Sequence, residues 1–449
     1  MIGSMIVDHT KIGAAFRRLS LPVAVQMLGD QLLGTVDTIA IGSLGTIALA
    51  GATAANTIAL VLLFTIAGLL SGTAIVAAQR IGANDVDGFG RTVRAGAAAP
   101  LALAGLWILL CVFFAGPTLH WMLGDLASAH ASAIYLMLRS IALLPITISG
   151  TLIVGVGAAG NQRLGVLVLV IVNLVHIPLL AILGLGWLTH HPFGIVGAGV
   201  SSLLSETIAA IFAIVYVARR PQYRIFSERR ISWPLATRCA RLGFPEAVFL
   251  MGVSVPDVLI VAMLAPLGAI FVAGFRALNV VSDLTFVVPS PLQNAAQIVI
   301  GQRLGAHDPQ GARWFLERAL KVSLVITSLT AVAMALLAWP LAYLFTLNAA
   351  VASLAALPLA LHMLTLPLKG WAMVSLAPIR ASGDTRFSMM VGLASSALVI
   401  PLAWIGIEHL RLALYSVPLG WIAAWTARAL LTQWKLRDGA WMHSEPLAA

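Results

Sequence analysis

The sequence repeats itself without a gap at an offset of 223 residues, Pro22 returning as Pro245. Leu19-Ser-Leu-Pro22 reappears as Leu242-Gly-Phe-Pro245, and Leu44-Gly45 with Ala50-Gly51 reappears as Leu267-Gly268 with Ala273-Gly274. The same offset carries Asn56 onto Asn279, Gln79-Arg-Ile-Gly-Ala-Asn-Asp85 onto Gln302-Arg-Leu-Gly-Ala-His-Asp308, and Pro117 onto Pro340. Gly160-Asn-Gln-Arg163 then meets Gly383-Asp-Thr-Arg386, and Pro178 meets Pro401. Two copies of one unit must fold as two copies of one fold. The reading places an N-terminal lobe at 12–218, a basic linker at 219–237 and a C-terminal lobe at 238–441.

Each copy is made for hydrocarbon. With 60% hydrophobic and only 10% charged residues, a chain of this length lacks the polar surface that a water-soluble domain needs. Apolar runs of about 20 residues recur without the alternation of a β-barrel, which predicts an all-α integral membrane protein of about twelve spans. They fall near 18–42, 47–78, 93–115, 130–155, 164–187, 195–218, 238–264, 269–300, 316–340, 350–376, 387–407 and 411–434. Six spans return each copy to its starting side. The lobes are therefore expected to share one orientation, related by a pseudo-twofold axis along the membrane normal with a central cavity between them.

The net charge of +10 would suggest nucleic acid in a soluble protein, but the bases occupy every second loop. Arg80, Arg91 and Arg94 follow the second span, Arg219–Arg241 hold seven arginines around the linker, and Arg380, Arg386, Arg428, Lys435 and Arg437 continue the pattern. The alternate loops Gly42–Thr46, Gly116–Ala129 and Ala265–Ala269 carry no Lys or Arg, and Arg411 is the clear exception. By the positive-inside rule both termini and the linker are cytoplasmic, in a plasma (inner) membrane protein that touches anionic lipid and no nucleic acid. A monomer is the expected state. Cys111 and Cys239 suggest no disulfide. The first span is too long for a signal peptide and is expected to remain as its own insertion signal. No metal-ligand cluster, nucleophile elbow or phosphate loop is present, and His190-His191 in a short outer loop is too isolated for a metal site. The reading is of a non-enzyme without cofactor.

The repeated Q-R-x-G-A-x-D segment is mechanical. Gly82 and Gly305 are expected to end their helices in the left-handed conformation. Asp85 and Asp308 are expected to cap a short amphipathic helix, with Arg80 and Arg303 at the headgroups. The first span is different. Leu19–Gly51 carries Asp30 and Asp37, seven residues or two turns apart on one face. A carboxylate at mid-bilayer costs about 2.5–3.5 kcal/mol on insertion scales, so a span that keeps one holds a candidate functional site.

Pro22, Asp37, Thr38, Gly42 and Gly45, the twice-used Q-R-x-G-A-x-D and Arg380-Ala-Ser-Gly-Asp-Thr-Arg386 resemble the multidrug and toxic compound extrusion (MATE) transporters over nearly the whole chain. That resemblance implies two six-helix lobes, a central cleft, and export of organic compounds, often cationic and amphipathic, in exchange for H⁺ or Na⁺. It makes Asp37 the coupling aspartate, with Asn173 a family asparagine nearby. Four residues on, the aspartate of proton-coupled members is replaced by Ile177; His176 beside it reads as a core histidine, and Asp30 is the candidate second acid. Sodium-coupled members carry acids where this chain has Val253 and Lys369, so H⁺ is favoured over Na⁺. Asp257, Arg276, Asp283 and Lys369 are candidate cavity residues, with mutual pairing of Arg276 and Asp283 as the structural alternative. Pro22 is the candidate hinge of the first span.

The leading reading is thus a secondary antiporter that exports amphipathic, cationic organic compounds in exchange for protons. The alternative is a flippase of lipid-linked saccharides or an exporter of an anionic metabolite, using Arg139, Arg276 and Lys369. The loop pattern makes one prediction directly. A reporter placed after Ala449 or near Gln222 should read as cytoplasmic and one within 116–129 as external; the opposite pattern would overturn the orientation.

Overall fold

The computed structural model describes residues 7–8, 12–124, 126–188, 192–228 and 230–443; His190 and His191 lie outside them. Among the described residues all regular structure is helical. The first copy gives α1 (Ile12–Ser43), α2 (Thr46–Gly82), the short α3 (Val86–Gly96), α4 (Ala98–Leu123), α5 (Leu126–Ala158), α6 (Arg163–Leu179) and α7 (Gly194–Ala218). The second gives α8 (Trp233–Gly252), α9 (Val255–Leu264), α10 (Ala269–Thr285), α11 (Pro289–Gly305), α12 (Pro309–Leu336), α13 (Ala338–Thr346), α14 (Ala349–His362), α15 (Thr365–Ala381), α16 (Thr385–Trp404) and α17 (Ser416–Arg437). Ten of these stretches, some joining two helices, are long and apolar enough to cross a membrane. With α1 and α17 they make twelve spans, six to a lobe. Phe113, Leu174, Leu329 and Leu336 are among many large apolar side chains left uncovered. Such a surface belongs in lipid.

The two copies differ in continuity. The runs 238–264, 269–300, 316–340 and 350–376, read as single spans, are each broken: between α8 and α9, between α10 and α11, between α12 and α13, and between α14 and α15. Proline explains three of the four breaks; at the α12–α13 break Pro340 has the counterpart Pro117, which lies inside the continuous α4. Pro256, Pro289 with Pro291, and Pro367 stand just past the breaks, where the missing N–H and the restricted preceding residue interrupt a helix. The matching positions of the first copy are Leu33, Ile66, Gly68 and Leu144, and there α1, α2 and α5 run on unbroken.

The repeated loop keeps its geometry in both copies. Gly45 and Gly268 sit at φ 114° and 116°, a backbone conformation open to glycine. Asp85 and Asp308 accept from the backbone N–H of Gly88 and Gly311 at 2.7 and 2.8 Å. The left-handed residue, however, is not Gly82 or Gly305. It is Asn84 (φ 58°) and His307 (φ 56°), because α2 and α11 continue through the glycines and close with Asp85 N–H on Arg80 O and Asp308 N–H on Arg303 O, both at 2.9 Å. Arg80 is ion-paired with Asp85 at 2.6 Å. Asp308 caps the 28-residue α12 and not a separate short helix.

Contacts divide the chain into two compact units, one spanning Val25–Ala247 and the other Val7–Ala24 with Val248–Ala449. The start of the first helix thus belongs to the second unit, and most of α8 to the first. In the second unit Ser20 Oγ donates to the Pro291 carbonyl at 3.1 Å, Phe16 meets Phe315 at 5.8 Å, and Val7 N–H donates to Gln302 Oε1 at 2.9 Å. In the first unit the equivalent crossing of α2 and α8 is glycine against backbone. Gly243 is the repeat partner of Ser20, and Gly68 that of Pro291. A Cβ on Gly72 would strike the Cys239 carbonyl and come within 2.6 Å of the Gly243 nitrogen, and one on Gly68 would strike Ala247. Small residues four apart on both helices let the backbones touch, the route by which helices associate in lipid.

Gly72→Leu should therefore destabilise the protein by roughly 1–3 kcal/mol or more through overpacking. Gly105→Ala, where a Cβ meets nothing within 4 Å, should leave it unchanged. Thermal unfolding in detergent followed by size-exclusion profile reads the difference.

Candidate functional site

Each unit holds one polar centre within its spans. In the first, the apolar run of α1 turns Asp37 toward α6, where His176 stands in the last turn before a π turn at Leu180–Gly184. His176 Nε2 lies 2.6 Å from Asp37 Oδ1. The imidazole is 3% exposed and the carboxylate 24%. With Asp37 ionised the carboxylate accepts from Nε2–H, and a charge-assisted bond of that length is among the stronger ones a protein makes. Thr35 and Thr38 satisfy themselves on their own helix, donating to the Gln31 and Gly34 carbonyls at 2.9 and 2.8 Å.

Around this pair, Arg139 of α5 donates to Ser202 Oγ of α7 and to Asn56 Oδ1 of α2, each at 3.3 Å. Glu206, one turn beyond Ser202, feels Arg139, Asp30 and His176 electrostatically. Tyr135 feels both Arg139 and Asp37. The centre therefore draws on α1, α2, α5, α6 and α7.

In the second unit the centre is built from cations and aromatic rings. Lys369, 2% exposed in α15, places Nζ 2.9 Å from Ser282 Oγ of α10. It lies 4.5 Å above the Phe286 ring and 5.9 Å from the Trp425 ring of α17. His362, at the end of α14, brings Nε2 to 3.0 Å from the same Ser282 oxygen. Arg428 stacks over Trp425 at 4.3 Å and donates to Ser395 Oγ, Ser396 Oγ and the Gly392 carbonyl at 2.8, 3.1 and 2.7 Å. Asp257 of α9 is hydrogen-bonded to Asn279 through one oxygen, and its Oδ1 is buried without a partner among the described residues.

The MatE family model matches residues 22–182 and again 245–405. The chain belongs to this family of transporters. The two matches are themselves offset by the repeat. Among curated relatives, the chain is 27% identical over 341 residues to a probable multidrug resistance protein NorM of Aromatoleum aromaticum, covering 74% of this chain and 73% of that one. It is 27% identical over 339 residues to the multidrug resistance protein MdtK of Edwardsiella ictaluri, covering 73% and 72%. Among solved structures, a MATE transporter in the bent conformation superposes with a TM-score of 0.87 at 21% identity, covering 98% of both chains. A transporter from Pyrococcus furiosus, described as having a binding pocket of reverse polarity that suggests a different function, superposes with a TM-score of 0.82 at 22% identity over 98% of both chains.

As a MATE transporter the protein is not an enzyme. Of the residues singled out from the sequence, the structure joins Asp37 to His176, while Asn173 turns its amide to the Leu169 carbonyl of its own helix at 2.9 Å. Asp30 is exposed, two turns from Asp37. Pro22 lies inside α1, two residues before the boundary between the units. Arg276 and Asp283 share a face of α10, both exposed, and influence each other without a close ion pair. Arg428 does not belong with the loop bases: it is 4% exposed, its head group held by the serines of α16. His362, Ser282, Phe286 and Trp425 had no individual signal in the sequence, since each is unremarkable until the fold sets it beside Lys369.

Proposed function

We propose that this MATE transporter exports amphipathic organic compounds in exchange for protons, and that the Asp37–His176 pair in the first unit is the proton site. The observation that carries the reading is the 2.6 Å contact between Nε2 and Oδ1 inside apolar spans. The pair holds one proton as imidazolium–carboxylate or as two neutral groups, and either form is electrically neutral. Loss of that proton leaves a lone carboxylate in low dielectric, and gain of a second leaves a lone imidazolium. Charge at the pair therefore changes with every proton exchanged. A proton bound with different affinity in two conformations drives the change between them, with up to about 2.3 kcal/mol per 100 mV if its charge crosses the whole potential.

Pro22 gives α1 a place to bend as Asp37 changes charge. Turnover and pH dependence unchanged in Pro22→Ala would remove this part of the reading. Asn173, which neighbours the pair on α6, and Asp30 are second-rank members of the same site. Residues 12–218 and 238–441 act as the two lobes about the linker 219–237, in an inner membrane with both termini cytoplasmic and the chain a monomer among anionic lipids. Asp257, Arg276, Asp283 and Lys369 contribute to the substrate pathway in the second lobe.

A second reading has its own observation. Lys369 and Arg428 are both buried within reach of the Trp425 ring, an arrangement suited to an anionic compound, and the Pyrococcus furiosus relative is described by its reversed pocket polarity. Proteoliposome uptake of a cationic dye against a set of anionic metabolites, under an imposed pH gradient, separates the two.

Asp37→Asn mimics the permanently protonated side chain, so it should fold and lose proton-driven accumulation down to passive leak. His176→Ala should flatten the pH dependence, and Asp30→Asn should shift it mildly. Accumulation by Asp37→Asn with wild-type pH dependence would place coupling elsewhere. The ion is tested apart from the residue. With hydrophobic Val253 and cationic Lys369 at the positions where sodium-coupled relatives carry acids, a proton gradient should drive transport without Na⁺. A Na⁺ gradient that drives uptake where a pH gradient does not would overturn proton coupling.

A further inference from the structure

The second unit contains three buried side chains linked through one oxygen. Lys369 Nζ lies 2.9 Å and His362 Nε2 3.0 Å from Ser282 Oγ. Lys369 has no close ion pair among the described residues. Asp283 and Asp257 reach it only at longer range, against Arg428. We propose that Lys369, Ser282 and His362 form a second proton-exchanging centre, in which the serine hydroxyl passes a proton between the lysine amine and the histidine imidazole.

The hydrogen bonding fixes how this would run. An ammonium can only donate, so Ser282 Oγ accepts from Lys369 and its own hydrogen is directed at His362 Nε2, which must then be unprotonated. The imidazole proton is left on Nδ1, and that atom is buried without a partner among the described residues. For transfer, Lys369 gives a proton to Oγ as the original hydroxyl proton moves to Nε2. The amine becomes neutral, the imidazole becomes imidazolium, and the hydroxyl is restored with its hydrogen free to turn back to Nζ. No electrons move, and both end states keep two hydrogen bonds through the serine. A neutral Lys369 forfeits its attraction to the Phe286 and Trp425 faces, so the aromatic cage responds to the proton's position.

The setting favours movement over a static cation. Ser282 and Phe286 stand beside the break between α10 and α11, and His362 stands at the break between α14 and α15. Irregular backbone at membrane depth is retained where protein or a cavity surrounds it and is where coupling ions are handled. The first copy serves as an internal control. At the same repeat positions it has Ala59, Arg139 and Ile146, in unbroken α2 and α5. The linked triad and both breaks have appeared together in one copy only.

The groups that act on the triad are Asp257 of α9, Asp283 and Arg276 of α10, and Arg428 of α17. On α12, Ser323 lies against Gly370 beside Lys369, so Lys321 is nearly level with the triad, with its side chain exposed. Arg303 of α11 is in the last turn, Arg313, Glu317, Arg318 and Lys321 of α12 are in the first half, and Arg386 is the second residue of α16. On α15 and α17 themselves, Arg380, Lys435 and Arg437 are in the last turns.

The chain has four lysines, Lys11, Lys321, Lys369 and Lys435, which makes a direct test practical. Full-length protein carrying [ε-¹³C]lysine is titrated in detergent, with the Lys369 signal assigned by its loss in Lys369→Arg. That variant keeps the cation but cannot release a proton. The Lys369 signal should titrate, with a midpoint that moves in both Ser282→Ala and His362→Gln. A signal that does not titrate, or a midpoint that Ser282→Ala leaves in place, overturns the centre. In proteoliposomes Lys369→Arg should lower the accumulation ratio by about tenfold per pH unit of gradient, the value of one proton removed from the exchange. Wild-type accumulation in Lys369→Arg would show a fixed structural cation. The titration stands whatever ion drives Asp37, so failure at one centre is separable from failure at the other.

Discussion

A polar group in hydrocarbon has no water to turn to, and each one this chain keeps at membrane depth must find its partner in protein. That constraint decides most of what is visible. Arg139 is tolerated because Asn56 and Ser202 face it, and Arg428 because Ser395, Ser396 and the Gly392 carbonyl do. Many threonines and serines that lack such a role return their hydroxyls to carbonyls of their own helix, as Thr147 does to Leu143 at 2.6 Å and Thr327 to Ser323 at 2.6 Å. Beyond this internal satisfaction stand Asp37 with His176, Lys369 with Ser282 and His362, and acids such as Asp257, whose Oδ1 is buried without a partner among the described residues.

The same constraint explains how one unit used twice came to differ. Helix crossings carry over because backbone contact is indifferent to side-chain chemistry. Ser20 on the Pro291 carbonyl and Gly243 on α2 are the same crossing, made once with a hydroxyl and once with bare backbone. The capped loops carry over for a similar reason, since Asp85 and Asp308 answer orphan N–H groups that any helix start presents. Interior charges do not carry over. Asp37 has Ile260 as its repeat partner, and Lys369 has Ile146. Once two lobes share the scaffold, each polar centre is free to specialise.

The fold was largely legible in the sequence because duplication and hydropathy are long-range patterns that survive local variation. Twelve spans, two lobes and the Asp-capped loops follow from them. Three of the breaks in the second copy were also written there, in Pro256, Pro289 and Pro367, but apolar length alone reads through a proline. The centres were legible only on one side. An acid in an apolar run marks itself, so Asp37 stood out, whereas His176 is as compatible with packing as with pairing until α1 and α6 are brought together. Arg428 misled for a plainer reason: it lies within a turn or two of true loop bases, and only the serines of α16 show that its head group points inward.

The two centres also differ in sign, and this bears on how they would divide the work. Acids outnumber bases around Asp37, where Asp30 and Glu206 face the single guanidinium of Arg139. In the second centre the bases prevail three to two once Lys369 itself is counted, with Lys369, Arg276 and Arg428 against Asp257 and Asp283. A site with excess negative charge gains by holding protons and by meeting cations. One with excess positive charge gains by releasing a proton and by meeting anions. Because a ligand shifts a conformational equilibrium only through its unequal affinity for the states, two centres of opposite sign would, on the proposed reading, let a single conformational change be biased by proton binding in one lobe and proton release in the other. Asp257 shows how closely the second centre is poised, since Asn279 engages it while its other oxygen stays buried and unpartnered among the described residues. Any motion of the short α9 that brought that oxygen to Lys369 would convert a long-range attraction into an ion pair.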